Sequence, residues 1–516
     1  MCDSKNGNQL HFPILFLPPN PPPNNEKNPL DSGGKNFIIE FDAGWSSLVA
    51  RRAHNPEVEG SNPSPAIFNI SFEMENSCEK QKFFIYNLGC PKNEVDGHLW
   101  SKYLIEQNLA PSDNPSDADI LLVNTCAFIE DARRESAEAI SQLLRIKEKF
   151  PWKKVLITGC WAQKDGERLL EMFTQVDGIL GNADIGSAAK ALREIIVNSG
   201  KKVHIPDSFA PWYPNLTVEH KGSYAFLKIA DGCDNFCSYC LLPYIKGRYR
   251  SIPEDVLVKQ AEFFVKSGTR ELVLIAQDTT VYGKDIGGDI ISLLRKLNDI
   301  EGDFIIRLMY AHPRGVDDKL VRTIVELPKV VNYLDIPLQH YDSQILSRMN
   351  RGYDSEYIDR LIEMIFSIAP DMTLRTTFIV GFPGEFDEHF EKLYDFVTKG
   401  YFTHLGVFQY SREENTPAYS MDAQVPPDVA SLRKEQLEMA HDSISCERNN
   451  ELVGKVVDVL VDSPALRDGF VIGRMRQDAP QVDRIVRIKG ELKVGKWAKA
   501  RIIRSFSHEF LGVAEE

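Results

Sequence analysis

The chain has 516 residues, 43% of them apolar, and a formal net charge of −14 from 60 Lys+Arg and 74 Asp+Glu. That apolar content suits ordinary cores, three or so at about 150 residues per domain, while the acidic balance opposes general adhesion to phosphate backbones, which rests on Lys and Arg displacing counterions. The longest early apolar run, Leu10–Leu17, contains a proline and lacks both a basic flank and a small-residue cleavage site; it is too short to span a bilayer, so neither secretion nor membrane anchoring is expected.

Residues 1–73 differ in character from the rest of the chain. Pro18-Pro-Asn-Pro-Pro-Pro23 and the surrounding Asn, Gly and Ser have a disorder-like composition, and acidic residues are too frequent for an organelle transit peptide. The stretch Trp45–Pro63 can be back-translated into a transfer-RNA gene: Gly60-Ser-Asn-Pro63 reads as a T-loop and Ala53-His-Asn-Pro56 as an anticodon arm. The expectation is an upstream start-codon error with translation beginning near Met74, set against a genuine disordered tail. Native peptides from residues 30–60 would reject the first reading.

From about Lys80 to Trp212, short apolar runs alternate with amphipathic stretches. Phe83–Tyr86, Ile120–Val123 and Val155–Thr158 read as buried parallel strands, followed by helical segments such as Asn93–Gln107 and Asp131–Lys149. That pattern is an open α/β unit. Each strand runs into a cysteine, in Asn87-Leu-Gly-Cys90, Asn124-Thr-Cys126 and Thr158-Gly-Cys160. Adjacent parallel strands would gather the three at their carboxyl ends, where such sheets place ligands. The alternatives are an iron–sulfur cluster with one open iron, or three core cysteines packing as small hydrophobes.

Beyond the strand-like run Tyr224–Ala230 lies Cys233-x3-Cys237-x2-Cys240. A structural zinc site needs four closed ligands, yet no further Cys or His appears until His312, whereas cluster iron is held by thiolates and tolerates an open position. Five more apolar runs lie downstream, at Glu271–Ala276, Phe304–Tyr310, Tyr333–Ile336, Leu374–Val380 and His404–Tyr410, separated by helical spans. Repeated βα units suggest a partial barrel with its site on the loops after the strands. Gln277-Asp-Thr-Thr280, Pro337-Leu-Gln-His340 and Gly381-Phe-Pro-Gly-Glu385 all fall there, although a glycine pair also permits a tight turn with no ligand. The basic group Ile245–Arg250 reads either as a carboxylate holder or as a solvated charge run, and His340 as a capping or core histidine.

A polar helical connector from about Pro427 to Asn450 leads to five short strand-like runs, Val456–Val461, Phe470–Gly473, Arg484–Ile488, Ala498–Ile503 and Phe510–Val513, which form a small β-barrel. Its near-neutral charge does not declare RNA as a ligand. Nine cysteines in a chain of this kind suit a reducing, cytoplasmic compartment where thiols persist and ligate metal; Cys2, Cys78 and Cys446 have no partner pattern and read as ordinary thiols.

The segment Asp231-Gly-Cys-Asp-Asn-Phe-Cys-Ser-Tyr-Cys240 resembles the signature of radical S-adenosylmethionine (SAM) enzymes. The resemblance implies a 4Fe-4S cluster on Cys233, Cys237 and Cys240 whose open iron chelates SAM. It also implies Tyr239 against the adenine and cofactor contacts at Gln277, Gly381 and Gly384. The cofactor supplies a 5'-deoxyadenosyl radical and the protein aims it. The carboxy-terminal strands resemble a TRAM domain. Together the parts resemble the methylthiotransferases over nearly all of residues 80–516. An amino-terminal domain (80–212) would carry a second 4Fe-4S cluster on Cys90, Cys126 and Cys160, followed by a radical SAM core with helical connector (219–445) and a TRAM-like domain (447–516).

Asn87-Leu-Gly-Cys-Pro-Lys92, Asn124-Thr-Cys-Ala-Phe-Ile129, Ala276-Gln-Asp-Thr-Thr280 and Ile336-Pro-Leu-Gln-His340 look like the RimO-type branch, which modifies the β-carbon of an aspartate in small-subunit ribosomal protein twelve. The transfer-RNA branch typically reads Gln-Met-Asn after the first ligand and Gln-Asn-Val at the second barrel strand, and neither appears here. The chain departs from its own branch at Ile252, where a third arginine is usual, at Phe386, and at Gly97-His98 in place of Ser-Glu. The expectations are a cytoplasmic, monomeric enzyme with a ribosomal-protein substrate and an external electron donor. The alternatives are a transfer-RNA adenosine methylthiotransferase and a noncatalytic iron–sulfur redox sensor.

Overall fold

A computed structural model of the chain describes residues 80–197, 201–207, 209, 222–465 and 469–515. The expected tail at 1–73, Cys2, Cys78 and the expected boundary between 212 and 219 lie outside the described residues.

Six parallel strands form the first sheet: β1 (Lys82–Asn87), β2 (Ala110–Pro111), β3 (Ile120–Thr125), β4 (Lys154–Gly159), β5 (Gly178–Leu180) and β6 (Lys202–His204), in the order β2-β1-β3-β4-β5-β6. The helices between them are α1 (Pro91–Glu106), α2 (Glu130–Lys149), α3 (Cys160–Met172) and α4 (Ile185–Val197). Because side chains alternate across a strand, Ile120 and Leu122 pack with Leu99 of α1 and Leu192 of α4, while Leu121 and Val123 pack with Ile140 of α2 and Leu169 of α3. The three apolar runs are β1, β3 and β4. Strands of two or three residues such as β2, β5 and β6 are too short to leave a recognisable run.

The second sheet is a half-barrel. Strands β7 (Tyr224–Lys228), β10 (Glu271–Ile275), β11 (Ile305–Leu308), β12 (Val330–Asp335), β13 (Thr373–Val380) and β14 (His404–Gln409) lie side by side in chain order, all parallel. A two-residue pair, β8 (Ala230–Asp231) with β9 (Arg250–Ser251), pinches the base of the loop after β7. Helices α5 (Leu242–Lys246), α6 (Glu254–Lys266), α7 (Ile290–Asn298), α8 (Asp318–Glu326), α9 (Ser343–Arg348), α10 (Ser355–Ile368) and α11 (Asp387–Thr398) make the connections. Leu272, Leu274, Ile306 and Leu374 face outward onto Leu257, Leu293, Val321 and Leu361 of these helices. The inner face, with Phe226, Val273, Ile275 and Tyr333, shares a core with Val95 and Leu99 of α1, which lies against β7. Helix α1 therefore covers the open side of the half-barrel.

Helix α12 (Pro427–Asn450) leads to β15 (Val456–Val461), β16 (Phe470–Arg474), β17 (Ile485–Lys489), β18 (Trp497–Ser505) and β19 (Glu509–Glu515), a closed barrel in the order β15-β16-β17-β19-β18 around Val459, Val471, Val486, Ile502 and Phe510. The connection between β16 and β17 leaves this barrel and enters the half-barrel. Ala479 joins the inner-face core, Glu271 pairs with Arg307 at 2.6 Å and Arg474 at 2.8 Å, and Asp483 accepts the Tyr333 hydroxyl at 2.7 Å. A module whose form suggests binding thus spends one loop on internal docking. Among the described residues, no helix is long and apolar enough to cross a membrane.

Candidate active site

Strand register places the first thiol trio. With Asn87 opposite Asn124 and Thr125 opposite Gly159, Cys126 and Cys160 leave neighbouring strand ends, and Cys90 is the N-cap of α1. Strand order reverses between β1 and β3, the point at which open α/β sheets accommodate ligands. Two glycines let the thiols converge. At Gly89 (φ +87°) a Cβ would lie 2.8 Å from Cys126 Cβ and 3.0 Å from its Sγ, and at Gly159 (φ +94°) it would collide with the backbone of Thr125. Ser136 of α2 fixes the Cys126 backbone, its Oγ lying 3.2 Å from both the amide nitrogen and the carbonyl oxygen. Asn182 reaches within 3.9 Å of Cys160 Sγ, and its buried Oδ1 has no hydrogen-bond partner.

Electrostatics says what the trio suits. Burial pushes the Cys126 thiol up, and the nearby Cys160 and Cys90 push it further. Burial raises Cys160 to about 11 against the opposing pull of Lys246, with Cys90 adding to the rise. Cys90 itself is exposed, while Cys126 and Cys160 are buried thiols that a multiply charged iron centre beside them would help to ionise.

The second trio lies on the loop between β8 and α5. The Cys233 amide donates to Gly247 O at 3.1 Å, the Ser238 hydroxyl to Arg348 O at 2.7 Å, and the side-chain amides of Asn235 and Asn350 donate to Asp278 Oδ2 and Phe236 O at 2.9 Å each. Burial raises Cys233 to about 11, with Cys237 adding to it, and Cys240 rises for the same two reasons. Sequence reasoning missed Arg351. This buried side chain brings Nη1 to 3.1 Å from Cys237 Sγ and 3.3 Å from Tyr239 Oη, while Nε and Nη2 donate at 2.8 Å to Tyr353 Oη and Pro337 O. Lying more than a hundred residues from the cysteines, it carries no local signal.

Tyr239 meets Phe382 edge-on at 6.4 Å between ring centroids, so it stands between the cysteine loop and the end of β13. Gln277 donates to Asp231 Oδ1 at 2.8 Å, and its buried Oε1 has no partner among the described residues. Gly381 and Gly384 both have positive φ, +75° and +85°, and are closely packed: a Cβ at the first would collide with Ala430 of α12, and at the second would lie 2.8 Å from Arg348 Nε. His340 is a core residue whose Nδ1 accepts the Asp342 amide at 3.0 Å. The basic group divides, Arg248 being exposed while Lys246 is buried on Asp96 Oδ2 at 2.7 Å. Of the departures from the branch pattern, Ile252 is core, Phe386 is exposed, and a Cβ at Gly97 would collide with the Asn87 side chain.

The segments that carry the two cysteine sets are joined by shared structure. Leu241 and Ile245, just past Cys240, pack in one core with Cys160 and Trp161. Asp96 of α1 is buried between Lys228 and Lys246, and both lysines also approach Asp231, at 3.4 and 3.7 Å. The helix that begins at Cys90 is thereby tied to the loop that carries Cys233.

Residues 227–397 match the radical SAM superfamily, residues 82–181 the uncharacterized protein family UPF0004, and residues 453–514 the TRAM domain. A ribosomal protein uS12 methylthiotransferase RimO from Carboxydothermus hydrogenoformans is 40% identical over 417 residues, 80% of this chain and 94% of its own. The protein of the same name from Desulfitobacterium hafniense is 38% identical over 448 residues, 84% of this chain and 98% of its own. Among solved structures, the radical SAM methyltransferase TsrM from Kitasatospora setae matches with a TM-score of 0.48 and 14% identity, over 66% of this chain and 77% of that one. Identity of this extent along nearly the full length of the curated relatives shows that the chain belongs to the RimO family of ribosomal protein uS12 methylthiotransferases, radical SAM enzymes that use a 4Fe-4S cluster and SAM.

Proposed function

We propose that this chain places a methylthio group on the β-carbon of an aspartate in ribosomal protein uS12. Cys233, Cys237 and Cys240 hold the cluster that binds SAM, and Cys90, Cys126 and Cys160 hold a second 4Fe-4S cluster. The observation that supports this reading is that the loops bearing the two cysteine sets pack together, Leu241 and Ile245 beyond Cys240 sharing a core with Cys160, while Gly89 packs directly on Cys126. When bound, the two clusters and SAM supply hydrogen abstraction and sulfur delivery. The chain's own residues supply the arrangement. Arg351 sets its guanidinium against a ligand sulfur. Tyr239, Gln277 and the turn containing Gly381 and Gly384 border the SAM site, and α1 shields the inner face of the half-barrel from water. The substrate is a protein segment, the electron donor is external, and the enzyme acts as a cytoplasmic monomer.

The test is anaerobic reconstitution with a uS12-loop peptide and an anticodon stem-loop offered in parallel. A methylthio mass gain on the peptide is expected; modified RNA beside unmodified peptide would overturn the assignment. Cys233→Ala should abolish deoxyadenosine formation, whereas Cys126→Ala should keep part of it and stop sulfur insertion. Full activity in the second variant would refute the assigned roles.

A further inference from the structure

One buried cation in the site makes no direct ion pair among the described residues. Lys92, in the first turn of α1 and two residues beyond Cys90, is 8% exposed. Its Nζ lies 3.4 Å from the centroid of the Tyr310 ring and 3.5 Å from Ala276 O, and it forms no ion pair among the described residues. A ring face attracts a cation, yet an ammonium carries three N–H donors that want acceptors, and the single carbonyl is distant.

The neighbouring acids are committed elsewhere. Asp96, one turn along the same face of α1, takes Lys228 and Lys246. Asp231 sits beside those two lysines and accepts from Gln277. Asp335 accepts the Tyr310 amide at 3.1 Å and lies 3.9 Å from Arg375. Among the described residues Lys92 is left without a direct ion pair, and burying a charge without a hydrogen-bonded counter-ion is costly enough that such groups mark ligand sites. The backbone also builds the seat: Tyr310 adopts φ +59°, a left-handed conformation that side chains other than glycine avoid, and so sets its ring under the ammonium.

Position gives the ligand its chemistry. Nζ touches the residue before Gln277, whose amide holds Asp231 two residues ahead of Cys233, while Lys92 itself lies just past Cys90. The ammonium is therefore tied to both cysteine loops, by the chain to Cys90 and through Ala276, Gln277 and Asp231 to Cys233, and the reacting carbon must come to those loops. We infer that Lys92 receives the side-chain carboxylate of the substrate aspartate, an assignment that rests on the function proposed above. In aspartate the β-carbon is bonded directly to the carboxylate carbon, so anchoring the carboxylate leaves one rotatable bond between the anchor and the C–H to be cleaved. A neutral asparagine at the same place would leave the ammonium unpaired.

The experiment measures binding of two uS12-loop peptides, one with Asp and one with Asn at the target, to full-length reconstituted enzyme without SAM, by fluorescence anisotropy. Wild type should prefer the Asp peptide by about tenfold or more, the scale of a charge-assisted hydrogen bond. Lys92→Met should bind the two alike, and Lys92→Arg should keep part of the preference. Equal binding by wild type, or an undiminished preference in Lys92→Met, overturns the inference while methylthiolation of the Asp peptide leaves the proposed function standing. Modification of the stem-loop alone overturns both. Iron content and circular dichroism report whether Lys92→Met is folded, and the wild-type comparison decides the matter if it is not.

Discussion

Replacing Asp96 with asparagine removes the charge that joins α1 to the half-barrel while keeping the side chain's size. Asp96 is 0% exposed and sits between Lys228 and Lys246, themselves 9% and 3% exposed. Removing one partner of a buried pair costs about 3–5 kcal/mol because the other charge is stranded. Here Asp231 remains within 4 Å of both lysines and is 20% exposed, which points to the lower end, about 3 kcal/mol. That is roughly a hundredfold in the folding equilibrium and about 6–12 °C in the transition of a core of 150–250 residues. The assay is anaerobic thermal unfolding monitored by circular dichroism, read on the first transition because a chain with several cores unfolds in steps. A Lys246→Met partner completes a double-mutant cycle, in which the coupling should be about 1 kcal/mol or more. A shift under about 2 °C, or additive effects in the cycle, would refute the view that this charge docks the helix.

Gly89→Ala should lose the second cluster selectively, since a Cβ there would lie 2.8 Å from Cys126 Cβ on a backbone at φ +87°; iron analysis should give about four rather than about eight irons per chain. Arg351→Met removes a cation 3.1 Å from Cys237 Sγ, so the SAM-binding cluster should become harder to reduce, by on the order of 50 mV in an EPR-monitored redox titration; an unchanged potential would separate Arg351 from the cluster. Burial, with His404 nearby, lowers His441 to about 4 from the ordinary histidine value of 6.5. Because the folded pKa lies below the unfolded one, this histidine's contribution is complete above pH 6.5 and is lost as pH falls toward 4, where on the order of 3 kcal/mol is gone. His441→Leu should flatten that limb of the stability profile.

Strands of four residues or more were legible in the sequence because burial on both faces demands continuous apolar runs, and all three in the first sheet and all six in the half-barrel lie where those runs are. The positions of the six cysteines were legible for a related reason, three following strand ends and three sharing one loop, features local to the chain. Partners across space were not. Lys246 reads locally as one member of a basic run, and only the docking of α1 turns it into a buried partner of Asp96. The packing of Gly381 against Ala430 and of Gly384 against Arg348 is likewise set by residues distant in the chain. Arg351 and Lys92 acquire meaning from what they face, Cys237 in one case and the Tyr310 ring in the other.

The order of strands and helices and the two sets of thiols are written into the primary structure, because periodicity and spacing are local properties of a chain. Which charges are buried, and against what, emerges only on folding, because the energy of a charge depends on the elements packed around it, and those come from distant parts of the chain.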